Sequence, residues 1–139
     1  MEQRDYILRE IEKIHVVLQA ILGKIMGGNT DIPNVNEDFE QLNKQLLEDT
    51  RVDIKELLRS DNKPFDRVFK KAYGYNESNI ELFADMLAEM AKKAEGNMKN
   101  QLNQKALETY QYVDGVSNSF SFNRKSKIDT LKRKLELNH

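Results

Sequence analysis

The chain has 139 residues, with 22 Lys and Arg against 23 Asp and Glu and no cysteine. A net charge of −1 excludes an overall field for polyanions. The missing cysteines exclude disulfides, thiolate metal sites and cysteine nucleophiles.

A single domain of this length buries about two thirds of its unfolded surface, so it needs no metal or disulfide staple. Charge interrupts the apolar stretches every few residues, and nothing reads as a membrane span. The start, MEQRDYILREIEKIH, mixes acids and bases, where a signal peptide would show a basic start and an unbroken apolar core. With no cysteine besides, the expected location is cytoplasmic.

A long amphipathic helix is predicted over residues 1–26. Ile7, Ile11, Ile14, Leu18, Ile21 and Ile25 alternate spacings of four and three, a heptad seam. Leu8, Val17 and Leu22 widen the stripe, as in a helix packed into a core. The seam together with Val17 and Leu22 is the candidate self-association surface. Gly27-Gly28-Asn29 should stop the helix, and Pro33 marks the loop that follows.

Short helices are predicted over residues 36–74. Asn36 is placed as the cap of the first, with Glu37 and Asp38 in its opening turn and Phe39, Leu42 and Leu46 on one face. Asp53 and Glu56 have the spacing of a cap pair for a short helix carrying Ile54, Leu57 and Leu58. Pro64 suits the first position of another, with Phe65, Val68, Phe69 and Ala72, ended by Gly74.

A helical hairpin and a last helix are predicted over residues 78–137. Ser78 and Glu81 read as a capping box. Ile80, Phe83, Ala84, Leu87, Ala91 and Ala94 form the first apolar face, and Leu102, Ala106, Tyr110 and Val113 the second. Ser117-Asn118-Ser119 breaks the second helix. Ser121 or Asn123 starts the last, with Ile128, Leu131 and Leu135 inside. No segment alternates as a strand does. The expected fold is therefore all-α, a bundle of about six helices.

In ALETYQYV, Ala106, Tyr110 and Val113 have the spacing of the second helix of a tetratricopeptide repeat, and NIELFADMLAEMAKKAEG would be its first helix. The C-terminal part thus resembles that family, which implies a helical pair that binds other proteins. No 34-residue period recurs, so an array of repeats is not expected. The chain as a whole resembles a small bacterial family with no assigned function. The stretches that carry the likeness are RDYILREIEKI, DIKELL and ALETYQYVDGVSNSFSFNRKSKI. That likeness implies a helical, bacterial, cytoplasmic protein and supplies no site residues.

Chemistry is sparse. His15 flanks the seam and His139 ends the chain, and neither has a second histidine at metal spacing. Asn34, Asn36 and Asp38 make half a calcium loop, but Phe39 stands where glycine is needed. The carboxylates are interspersed with lysines. No enzyme, metal or cofactor is expected.

Charge is unevenly spread. Residues 31–61 hold nine acids and four bases, net −5, whereas residues 121–139 hold six bases and two acids, net +4. These runs are expected to attract one another, within the fold or across a dimer. Arg124, Lys125, Lys127, Lys132 and Arg133 are the candidate partner contacts. Phe120 and Phe122 are expected to pack, one under the turn and one on the last helix.

The leading expectation is a non-enzymatic protein-interaction module that pairs with a protein or a second copy. The alternatives are a nucleic-acid-binding accessory using the basic helix, or a membrane-surface protein using the first helix. The interrupted bases argue against nucleic acid. The acids on the first helix's polar face argue against lipid.

Overall fold

The computed structural model describes residues 2–27, 34–59, 65–71 and 73–137. The expectations for Gly28, Asn29, Pro33, Pro64, Ala72 and His139 fall outside them. Among the described residues there are seven α-helices and no strand: α1 Glu2–Met26, α2 Val35–Thr50, α3 Ile54–Arg59, α4 Phe65–Lys71, α5 Glu77–Lys92, α6 Gly96–Val116 and α7 Phe122–Leu137. None is long and apolar enough to cross a membrane.

The most extensive packing is α5 on α6, an antiparallel pair joined by residues 93–95. On one side of that hairpin α1 packs against α5 and carries α2 with it, and on the other α7 packs against α6. The core follows the apolar spacing. Ile14, Leu18, Ile21 and Ile25 of α1 are buried, as are Phe83, Ala84 and Leu87 of α5 and Ala106, Tyr110 and Val113 of α6.

Two caps sit two residues earlier than the sequence suggests. α2 is capped by Asn34, whose Oδ1 accepts from the Asn36 amide at 2.9 Å. Asn36 instead accepts from the Glu95 amide at 2.7 Å and donates to the Glu95 carbonyl, pinning α2 to the α5–α6 connection. α5 is capped by Asn76, which accepts from the Asn79 amide at 3.0 Å. Ser78 lies inside the helix, and Glu81 faces α7 rather than closing a capping box. The cap at Asp53 does form, with its Oδ1 accepting from the Lys55 amide at 2.9 Å. So does the one at Ser121, whose hydroxyl accepts from the Arg124 amide at 3.1 Å.

The short helices are held by an aromatic cluster. Phe69 packs on Tyr75 at 5.1 Å and edge-on to Phe83 at 5.5 Å between ring centres, and Phe65 packs on Tyr112 at 5.3 Å. Such contacts contribute about 0.5–1.5 kcal/mol each beyond area burial. Tyr75 donates to the Thr50 hydroxyl at 2.9 Å, which ties the cluster to the end of α2.

The α4–α5 turn approaches α1 closely. Gly74 has φ +99°, and a Cβ there would meet the Glu10 carbonyl carbon and oxygen, both at 2.7 Å. Buried Asn79 completes this joint by donating from Nδ2 to the carbonyls of Ile11 at 2.9 Å and Gly74 at 2.7 Å. Upstream of Glu10, residues 3–9 of α1 are exposed. At 1.5 Å per residue these seven positions extend about 10 Å beyond the joint.

Candidate functional site

The α6–α7 corner is built around Arg124. It is a basic residue buried at the start of α7, 7% exposed at its side chain. Its Nε donates to Asp114 of α6, its Nη1 to Glu81 of α5 at 3.0 Å and its Nη2 to the Ser119 carbonyl at 3.2 Å. One turn on, Lys127 reaches Asp85 at 2.9 Å and Glu81 at 3.2 Å, over the ring of Tyr110. Burial opposes the charge on both side chains, but the hydrogen bonds and fields of these carboxylates outweigh it and hold both pKa values above their usual range.

This network divides the five candidate partner contacts. Arg124 and Lys127 are committed inside the chain. Lys125, Lys132 and Arg133 stand exposed on the outer face of α7, where Lys125 lies 3.7 Å from Asp129. The expectation that the acidic run attracts the basic run within the fold is corrected. Among the described residues the ion pairs of α7 go to α5, α6 and Asp129, and none goes to residues 34–59.

The aromatic expectation is also corrected. Phe120 is 66% and Phe122 82% exposed, and their rings meet edge to face at 4.8 Å. Arg124 and Ser121 fix the corner in their stead, so the rings are not required under it and are displayed to solvent with Val116. A polar network anchoring the turn is not visible in a one-dimensional pattern, where an aromatic beside a helix start reads as a packing staple.

The candidate self-association residues divide as well. α2 and α5 cover Ile14, Leu18, Ile21 and Ile25, and Ile11, Val17 and Leu22 are half-buried at the edges of that cover. Ile7 is 39% exposed, between Tyr6 at 44% and Leu8 at 54%. The heptad seam therefore runs out of the bundle with its apolar face uncovered.

A groove of 380 Å³ separates α1 from the corner, lined in part by His15, Glu77, Glu81, Ser119 and Arg124. His15 lies half-buried in it. Among the described residues no group of three His, Asp or Glu side chains is placed to hold a metal ion. Comparison with protein-family models, with curated proteins and with solved structures found no match.

The tyrosines give this region a pH signature. Burial, then the hydrogen bond to Asp66 and its charge, raise the Tyr112 hydroxyl to about 12. Burial raises Tyr75, and burial with the Asp85 bond raises Tyr110, both far above the usual value of 10. A raised folded-state pKa favours folding fully below pH 10, and that contribution is lost as pH rises through the folded value. The expected result is that stability declines above pH 10. In a titration followed by tyrosinate absorbance, Tyr75 and Tyr110 should ionise only as the helix signal is lost. Full tyrosinate absorbance before any loss of the helix signal would contradict these burials.

Proposed function

We propose that this protein is a non-enzymatic helical interaction module of the cytoplasm that pairs with a second copy of itself through the free start of α1. The observation that carries the reading is the uncovered continuation of the seam at Ile7, flanked by exposed Tyr6 and Leu8. A rigid apolar stripe of this kind is closed most simply by the same stripe of another copy, which gives a two-fold contact. The overhang is short, so the contact belongs with small interfaces and micromolar affinities. The α5–α6 hairpin supports the tetratricopeptide-like part of the reading through its short connection and its buried Ala106, Tyr110 and Val113.

A second reading rests on the corner. Phe120 and Phe122, with Lys125, Lys132 and Arg133 on the adjoining helix, suit a partner protein that offers acidic and apolar side chains together. A nucleic-acid role for α7 has less support, because Arg124 and Lys127 are already neutralised by carboxylates.

Sedimentation velocity over a concentration series tests the pairing. Wild type should shift toward dimer across tens to hundreds of micromolar, and Ile7→Glu should remain monomeric and fully folded. Val17→Glu should instead lose stability, since Val17 packs against the core. A wild type that stays monomeric throughout would remove the proposal.

A further inference from the structure

The free start of α1 leaves room for a second copy in one orientation only. Ile7 lies on the same seam as Ile14, Leu18, Ile21 and Ile25, so its exposed face is the one that the bundle covers further on. The cover begins abruptly. Gly74 of the α4–α5 turn sits against the Glu10 backbone, and Asn79 in the first turn of α5 donates to the Ile11 carbonyl. From there α5 packs along α1. A helix laid on Ile7 therefore has open space toward Gln3 and meets the turn and α5 toward Ile14.

This geometry separates the two ways of pairing. In a parallel contact, the second copy's α1 would run on through the place that α5 occupies. In an antiparallel contact it runs away from the bundle, and only its first turn approaches the α4–α5 turn. The exposed stretch has the length for this. With Ile7 on the two-fold axis, Gln3 of one copy lies level with Ile11 of the other, where the cover begins.

Charge selects the same orientation. Arg4 and Glu10 stand three residues to either side of Ile7. That places each about 4.5 Å along the axis from Ile7 and about 60° around it, on opposite flanks. Among the described residues neither makes an ion pair within its own chain. Antiparallel pairing about Ile7 sets Arg4 level with Glu10 of the second copy, and symmetry repeats the pair. Parallel pairing sets Arg4 level with Arg4 and Glu10 level with Glu10. Opposite charges across a helix contact favour it and fix its register, whereas like charges oppose it.

We propose that two copies pair antiparallel about Ile7, with Arg4 of each against Glu10 of the other and the first turn of each α1 beside the α4–α5 turn of the other. The arrangement rests on the pairing through α1 and adds its orientation, its register and the charges that select a second copy over other apolar helices. The turn held by Gly74 and Asn79 is the stop that keeps the second helix from sliding along the seam.

The test is sedimentation velocity of the full chain with charges reversed. Arg4→Glu should weaken dimerisation about three- to tenfold, and adding Glu10→Arg to it should recover most of the loss. A parallel pair would exchange one set of like charges for another at Arg4→Glu and keep its affinity. Arg4 and Gln3 are exposed and outside the joint, so their variants stay folded. Cysteine placement gives a second readout. Gln3 is about 6 Å along the axis from Ile7, so its two copies stand about 12 Å apart along an antiparallel pair. Gln3→Cys should therefore fail to link to itself under mild oxidation. Dimerisation that Arg4→Glu leaves unchanged, or efficient self-linking of Gln3→Cys, would overturn the orientation and leave the pairing standing. A wild type that stays monomeric would overturn both.

Discussion

Gly74→Ala is expected to cost about 2–5 kcal/mol, the sum of a side chain forced to positive φ and of overpacking against a helix backbone. The added Cβ would lie 2.7 Å from the Glu10 carbonyl and 2.9 Å from the Ile14 side chain. Those atoms belong to α1 where it crosses the turn, and a backbone carbonyl within a helix cannot swing aside. The turn would have to lift, and Asn79 would then lose one or both of the carbonyls it bridges. In urea unfolding the midpoint should drop accordingly, and in thermal unfolding by roughly 8–20 °C. Gly23→Ala supplies the control. Gly23 lies within α1 with nothing near its would-be Cβ, so alanine there should stabilise by about 0.5–1 kcal/mol through helix propensity. Equal effects at the two glycines would show that the close approach of the turn to α1 is not as described. The consequence reaches the interaction surface, because this joint decides where α1 leaves the bundle.

Arg124→Ala should destabilise by about 2–4 kcal/mol. Removing one member of a fully buried ion pair costs about 3–5 kcal/mol, mostly through the charge left behind. The loss is smaller here because Asp114 is 43% and Glu81 22% exposed at their side chains, so water recovers part of it. Glu81 also keeps Lys127. Lys125→Ala, one residue along on the open face, should change stability by less than about 0.5 kcal/mol. Arg124→Lys should recover only part of the difference, since an ammonium cannot reproduce the fork that reaches Asp114, Glu81 and the Ser119 carbonyl together. If Arg124→Ala and Lys125→Ala were equally mild, the corner would not depend on this network. The display of Phe120 and Phe122 would then need another cause.

The helices were legible because their apolar residues recur at helical spacing. The end of α1 at Met26, the break near Thr50 and the start of α7 beside Ser121 all fall where the pattern places them. Caps were less legible. Asn34 and Asn36, like Asn76 and Ser78, are competing acceptors two residues apart, and the choice is made by distant groups such as Glu95 and Arg124. The functional surface was legible in halves. Ile7 and Ile14 hold equivalent heptad positions, and nothing local reveals that α2 and α5 cover one and not the other. Arg124 and Lys125 are neighbours of one charge, and only the direction of each side chain separates a buried anchor from an exposed contact.

The pairing of two chains through the start of α1 can be tested by oxidative cross-linking, because the chain carries no cysteine of its own. In a two-fold contact a residue near the axis meets its own copy. Ile7 sits near the middle of the overhang, so Ile7→Cys should give a disulfide-linked dimer rapidly under mild oxidation. Lys44→Cys, exposed on α2 away from the overhang, should remain largely monomeric at the same concentration. Failure of Ile7→Cys to cross-link, or equal yields from the two variants, would contradict self-association through the seam.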